Sequence, residues 1–216
     1  MNTISIKNVS LEIKNRKILN NINLQMEQKH VYGLIGNNGS GKTMLMKCIC
    51  GFIKPTKGEI IYNGKIIGKD IDHLQNAGII IEIPGFVPYY SGVKNLKLLA
   101  SINKTVEMEQ IVIAMKKCGL DPYLKIPVRK YSLGMRQRLG IAQAIMENQE
   151  ILILDEPMNG LDKKGVESVR DLILKLKQDD KLILLTSHNN QDIDILCDEV
   201  YEMDNGEILN RKKCEY

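Results

Sequence analysis

Val31-Tyr32-Gly33-Leu34-Ile35 runs straight into Gly36-Asn37-Asn38-Gly39-Ser40-Gly41-Lys42-Thr43, and a helix-forming run opens at Met44. The first five residues read as a strand that is apolar on both faces, and the next eight fit GxxxxGK[ST]. Strand, loop and helix stand in the order this motif requires. The chemistry follows from the residue types. Glycines let the backbone wrap around phosphates with its N–H groups turned inward, and the amino end of the following helix adds positive potential. Lys42 is then placed to reach the β- and γ-phosphates of a nucleotide, and Thr43 to ligate Mg²⁺.

A glycine-rich turn can meet such a pattern by accident, and a second motif removes that reading. Ile151-Leu152-Ile153-Leu154-Asp155-Glu156 is a buried strand ending in two carboxylates, at the edge where nucleotide sites of α/β sheets lie. Asp155 can hold Mg²⁺ through water, as the second acid of such a site does. Glu156 follows on what reads as extended backbone, pointing the other way, and can polarise an attacking water as general base.

Further apolar runs at Ile4–Val9, Ile79–Ile81 and Leu182–Thr186 complete an alternation of strands and helices, the signature of an α/β fold with parallel strands. Lys163–Gln178 sets Val166, Val169, Ile173 and Leu176 three to four residues apart, which predicts a helix laid on a sheet. Asn205-Gly206 between Val200–Met203 and Glu207–Leu209 predicts a closing hairpin. Between Pro84 and Asn148 helical patterns dominate, which reads as an insertion into the α/β core.

The chain's 216 residues suffice for one sizeable core, and 30 basic against 26 acidic residues, net +4, are interspersed rather than blocked, giving nucleic-acid binding no support. Cys48, Cys50, Cys118, Cys197 and Cys214 are odd in number and lack paired spacing, so a reduced, cytosolic chain is expected. No apolar run approaches the ~20 residues needed to span a bilayer, so a membrane role requires another chain. The cysteines and methionines read as core filler, Arg136 and Arg138 as a solvated helix face, and His30 and His73 carry no expected role.

Tyr131-Ser132-Leu133-Gly134-Met135-Arg136-Gln137-Arg138-Leu139, ahead of the Asp155 strand, resembles the signature of ABC transporter ATP-binding subunits in a variant form. Asn159-Gly160-Leu161-Asp162 resembles that family's D-loop, and Thr186-Ser187-His188 its switch histidine. The similarity spans essentially the whole chain. It implies a RecA-like P-loop NTPase core of the ABC type, an antiparallel β portion from the N-terminal strands and an inserted helical subdomain. As one domain over residues 1–216, the core would comprise about 1–83 and 149–216 and the helical subdomain about 84–148. It further implies hydrolysis of ATP with Mg²⁺ in a head-to-tail homodimer, or a dimer with a related ATPase subunit. There Ser132 and the Gly134 amide would contact the γ-phosphate bound by the partner, and His188 would hold the γ-phosphate and water in cis.

Three positions depart from the family pattern. Ile13 stands where an aromatic ring usually stacks on adenine, a stack worth roughly 1–3 kcal/mol, so ATP affinity is expected to fall modestly. The signature reads Ser132-Leu133-Gly134-Met135, keeping the serine and the second glycine. At the Q-loop, Glu82 replaces the usual glutamine, as an Mg²⁺-approaching carboxylate. Glu82 and the SLGM form together resemble the ATPases of bacitracin and lantibiotic self-protection exporters.

The resemblance thus implies a subunit on the inner face of the cell membrane, driving a separate polytopic permease that exports an antimicrobial peptide. A soluble ABC ATPase acting on ribosomes or DNA is the alternative; such proteins usually carry two of these domains or a long coiled coil. A sensor without turnover would be expected to lack Glu156 or His188, and both are present.

Overall fold

Side-chain alternation decides which layer each strand joins. In the computed structural model, which describes residues 2–82, 84–103 and 106–214, β1 (Thr3–Ile13) turns Ile4 and Ile6 inward. The register then shifts at Asn8, whose φ of 50° marks a bulge, and Val9 and Leu11 take over the inward positions. β2 (Arg16–Glu27) pairs with β1 antiparallel. β4 (Lys57–Tyr62) pairs with the other edge of β1, and the short β5 (Lys65–Ile66) completes a sheet of order β2-β1-β4-β5. This is the antiparallel portion expected from the N-terminal strands.

The second sheet has strands buried on both faces at its centre. β3 (Val31–Ile35) lies parallel to β8 (Leu182–Thr186), which is parallel to β7 (Ile151–Leu154), which is parallel to β6 (Ala77–Ile80). On its other side β3 pairs in parallel with β9 (Glu199–Asp204), and β10 (Glu207–Lys213) closes the sheet antiparallel to β9. The turn between the last two strands has Asn205 at φ 47° and Gly206 at φ 80°, the pair of positive angles that Asn-Gly supplies.

Because β7 and residues Leu182–Leu185 of β8 are apolar at every position, they feed two cores at once. Ile151, Ile153, Leu182 and Leu184 face the antiparallel sheet and α1 (Lys42–Ile49). Leu152, Leu154, Ile183 and Leu185 face the helices on the other side. Each such side chain removed from water contributes roughly 1.5–3 kcal/mol.

The helical layer contains α2 (Gly92–Asn103), α3 (Met108–Lys117) and α4 (Leu133–Ile145) from the central third of the chain. It also takes α5 (Lys163–Gln178) and α6 (Asn190–Leu196), which alternate with the strands. α5 has the bounds the apolar stripe predicts. Asp162 caps it by accepting from the Gly165 amide at 3.0 Å, and Val169, Leu172, Ile173 and Leu176 are buried. Cys48, Cys50, Cys118 and Cys197 are buried too, and burial pushes the thiols of Cys48, Cys50 and Cys118 up to about 11, 12 and 12. Of the sequence expectations, Ile83 and the terminal residues Met1, Glu215 and Tyr216 lie outside the described residues.

Candidate active site

The loops leaving the carboxyl ends of β3, β7 and β8 meet around one cavity of about 400 Å³. Its walls come from Asn38, Gly39, Gly41, Lys42, Thr43 and Met44 of the first loop and helix, from Asp155 and Glu156 after β7, from His188 after β8, and from Ile18 on β2. The glycine that begins the first loop is required by space as well as by conformation. Gly36 has φ 142°, and a Cβ there would lie 2.0 Å from the Met203 carbonyl oxygen.

Lys42 is buried, and its ammonium donates to the carbonyls of Gly36 at 2.7 Å and Asn37 at 3.0 Å, so the cation sits inside the loop's own curve. Thr43 Oγ1 donates to Asp155 Oδ2 at 2.9 Å. Thr186, fully buried at the end of β8, donates to the other oxygen of Asp155 at 2.8 Å and accepts from the Glu156 amide at 2.8 Å. The Asp155 carboxylate is thereby fixed at both oxygens.

Glu156 does not continue the strand as extended backbone, as its sequence position suggested. Its φ is 50°, in the left-handed region that a non-glycine residue occupies only when its surroundings impose it. The imposed contacts are the Thr186 hydroxyl on its amide and Gln137 Nε2, which donates to its carbonyl at 3.0 Å. The turn sets the Glu156 Oε1 atom 3.2 Å from His188 Nε2. Burial raises the Glu156 carboxyl above its ordinary value, His188 pulls it back, and the neighbouring Asp155 raises it again. A carboxyl so placed is a better base than an exposed one.

Three buried side-chain polar atoms among the described residues lack an aligned hydrogen bond, and two of them, Ser40 Oγ and Glu156 Oε1, belong to this loop and this acidic pair. Unsatisfied buried groups are rare enough to mark a place that receives a ligand. The donor chemistry suits a magnesium nucleotide: hard oxygens from Thr43 and Asp155, and a lysine on the glycine-rich loop. Thr43 and Asp155 would hold the metal, which supplies charge neutralisation at the phosphates.

Not every expected residue joins the cavity. Ile13 ends β1 and is 40% exposed, whereas the wall beside the loop is Ile18, which the sequence did not single out. Glu82, at φ 60°, is not among the lining residues; its carboxylate pairs with Lys47 Nζ at 2.6 Å. Arg138 is partly buried, and its guanidinium pairs with the exposed Asp162 at 3.4 Å. Ser132 caps α4 by accepting from the Met135 amide at 3.1 Å, and the signature residues Ser132 to Met135 line a separate cavity of about 670 Å³ with Gly160, Leu161 and Asp162. Two residues that hold the acidic pair, Thr186 and Gln137, went unassigned in the sequence. A lone hydroxyl ending the apolar run Leu182–Leu185 was the available signal for the first.

The sequence profile of the ABC transporter family matches residues 19–159. The chain belongs to the ABC transporter family. It is 42% identical over 99% of its length, and 98% of the relative's, to an uncharacterized ABC transporter ATP-binding protein, YybJ, of Bacillus subtilis. It is 35% identical to the lantibiotic transport ATP-binding protein SrtF of Streptococcus pyogenes, covering 97% of this chain and 90% of that one. The bacitracin transport ATP-binding protein BcrA of Enterococcus faecalis is 36% identical over 95% of this chain and 68% of its own. In fold, the ABC transporter ATPase subunit described here matches a solved ATP-binding cassette, MJ0796, a dimer bound to ADP and Pi, with a TM-score of 0.88 at 21% identity over 99% of both chains. The α/β architecture expected of a P-loop ABC cassette is therefore the architecture found.

Proposed function

We propose that this ABC ATPase hydrolyses Mg-ATP in the cavity above β3, β7 and β8 and drives a separate polytopic permease that exports an antimicrobial peptide. The observation that carries the catalytic part is the continuous bonding from Thr43 through Asp155 and Thr186 to Glu156, with His188 3.2 Å from the Glu156 carboxylate. Lys42, the backbone of Gly36 to Gly41 and Thr43 hold the phosphates; Thr43 and Asp155 hold the metal; Glu156 takes the proton of the attacking water; His188 steadies the γ-phosphate. Adenine rests against Ile18, with Ile13 at the outer rim.

The dimer follows from the separate position of the signature. Ser132 and Gly134 begin α4 at a second cavity, away from the chain's own phosphate loop, and so serve the ATP of a facing copy. Residues 84–148 act as a lever within one domain. The exposed Phe52 and Ile102 line the groove between this lever and the core together with Ile81 and Pro84, which flank Glu82 in the chain, and there the permease docks and holds the subunit at the inner membrane face. The likeness to the lantibiotic and bacitracin transport proteins supports a peptide cargo.

Glu156→Gln tests the reading, because the amide keeps the shape without the basic lone pair. ATP should still bind, turnover should fall at least about a hundredfold, and the chain should elute as a dimer with ATP and magnesium. Unchanged turnover removes Glu156 as base, and a monomer at saturating ATP counts against the sandwich.

A further inference from the structure

The helix that begins with the signature also reaches back to its own subunit's catalytic turn. Along one side of α4, Leu133, Gln137 and Arg138 touch the segment that runs from Glu156 to Asp162. Leu133 covers Gly160, where a Cβ would lie 2.5 Å from Leu133 Cδ2. Arg138 reaches Asp162 at 3.4 Å. Gln137, buried between them, donates from Nε2 to the Glu156 carbonyl at 3.0 Å, an oxygen that also accepts the Asn159 amide at 3.0 Å.

The Gln137 bond has a definite task. Glu156 adopts a positive φ, and its peptide groups are held at both ends: the amide by Thr186 on β8, the carbonyl by Gln137 on α4. The strand end supplies the first partner, which moves with the core. The second moves with the helix. A shift of α4 relative to β7 therefore acts on the backbone that aims the carboxylate at His188.

We propose that Gln137 is a positioning residue that couples the two ATP sites of the dimer. It ties the placement of the signature helix, which faces the partner's ATP, to the aim of the base in its own subunit. The coupling rests on the sandwich reading above; the positioning of Glu156 rests on this chain alone. When α4 is seated by the partner's nucleotide, the Gln137 amide fixes the Glu156 turn, and when α4 is displaced the carbonyl keeps only its local Asn159 bond.

Gln137→Met, of similar length but without the donor, is assayed for steady-state ATP turnover. The kcat should fall about tenfold with KM for ATP within about twofold, since a misaimed base affects the transition state and not nucleotide binding. A variant with unchanged kcat, or one whose KM rises in step with the loss, overturns the positioning role. Should thermal melts show that Gln137→Met is not folded, Gln137→Glu, equally long and lacking the N–H donor, takes its place with the same expectation.

Mixed dimers of differently tagged chains test which subunit's base Gln137 serves. With Gln137→Met and Glu156→Gln in one chain opposite a wild-type chain, turnover should equal that of the wild-type and Glu156→Gln pair, because both defects fall in one site. With Gln137→Met in one chain and Glu156→Gln in the other, turnover should fall about tenfold further. The reverse pattern would show that Gln137 acts on the partner's site and would overturn the assignment to its own subunit's base. If no ATP-dependent dimer forms with Glu156→Gln alone, the sandwich reading fails, while the split between kcat and KM in the single variant still decides whether Gln137 positions Glu156.

Discussion

Lys47 and Glu82 form an ion pair at 2.6 Å that ties the loop after β6 to the helix following the phosphate loop. The Glu82 side chain is 63% exposed, so the pair contributes less than about 1 kcal/mol to stability. Its interest lies in position. One partner sits one helical turn beyond Thr43, and the other follows Ile81, which lines the groove assigned to the permease.

Glu82→Gln should therefore leave the ATPase rate of the isolated subunit within a few-fold of wild type while weakening peptide resistance in cells carrying the assembled transporter. Lys47→Met, which frees the same carboxylate, should change resistance as well. Purified-protein rates and resistance at equal expression are measured side by side. Equal resistance would remove the coupling role, and collapse of the isolated rate would place Glu82 in the catalytic set.

Lys42→Ala should abolish most ATP binding, because the phosphates lose the one cation that the loop encloses. Equilibrium binding of labelled ATP measures this. Retention like that of the wild type would refute the assignment of the site.

The adenine end separates two isoleucines. Ile18→Ala should weaken ATP binding more than Ile13→Ala, because only Ile18 lines the cavity. Ile13→Tyr should tighten binding by about 1 kcal/mol, roughly fivefold, if its ring reaches over the base. Titration calorimetry of the three variants decides the order, and a larger loss at Ile13 would move the base outward.

Thr186→Val keeps the shape but removes the hydroxyl that serves Asp155 and the Glu156 amide. Leaving that buried N–H and carboxylate oxygen unpaired should cost about 1–3 kcal/mol of stability and lower turnover, and Thr186→Ser should restore most of both. Urea unfolding and ATPase assays on the pair check this. Equal behaviour of the two variants would show that the hydroxyl is not what matters.

Glu199, buried on β9, is held by Arg211 of β10, whose side chain is 54% exposed. Burial alone would raise the Glu199 carboxyl, but the hydrogen-bonded guanidinium of Arg211 and the nearby positive charge of Lys213 hold it below its ordinary value. A folded-state value below the unfolded one contributes stability above about pH 4.3, and that contribution is lost as pH falls further. Arg211→Met should lower stability at pH 7 by about 1 kcal/mol, limited by solvent screening, and the gap to wild type should narrow below about pH 4. Tm against pH measures it; a gap that widens in acid would contradict the assignment.

How far the sequence carries the fold depends on whether an element's reason for existing is local. The phosphate loop is written in its own residues, since Gly36, Lys42 and Thr43 act through backbone freedom and side-chain chemistry that need only a strand before and a helix after. The same holds for α5, whose stripe and Asp162 cap fix both ends, and for the Asn205-Gly206 turn. Asp155 and Glu156 were legible because an all-apolar strand leaves its carboxyl end as the only place for them.

What only the tertiary structure decided concerns partners far apart in the chain. Glu156 reads as a continuation of its strand, and its positive φ arises from Thr186 and Gln137, 30 residues after it and 19 before. Glu82 reads as a free polar ligand until Lys47 is seen beside it, and that Ile18 rather than Ile13 lines the cavity is visible only once β2 is in place. Periodicity and motif spacing record what a residue requires of its neighbours in sequence. A hydrogen bond between separate elements leaves no mark there, because its geometry exists only once the sheet and α4 have packed.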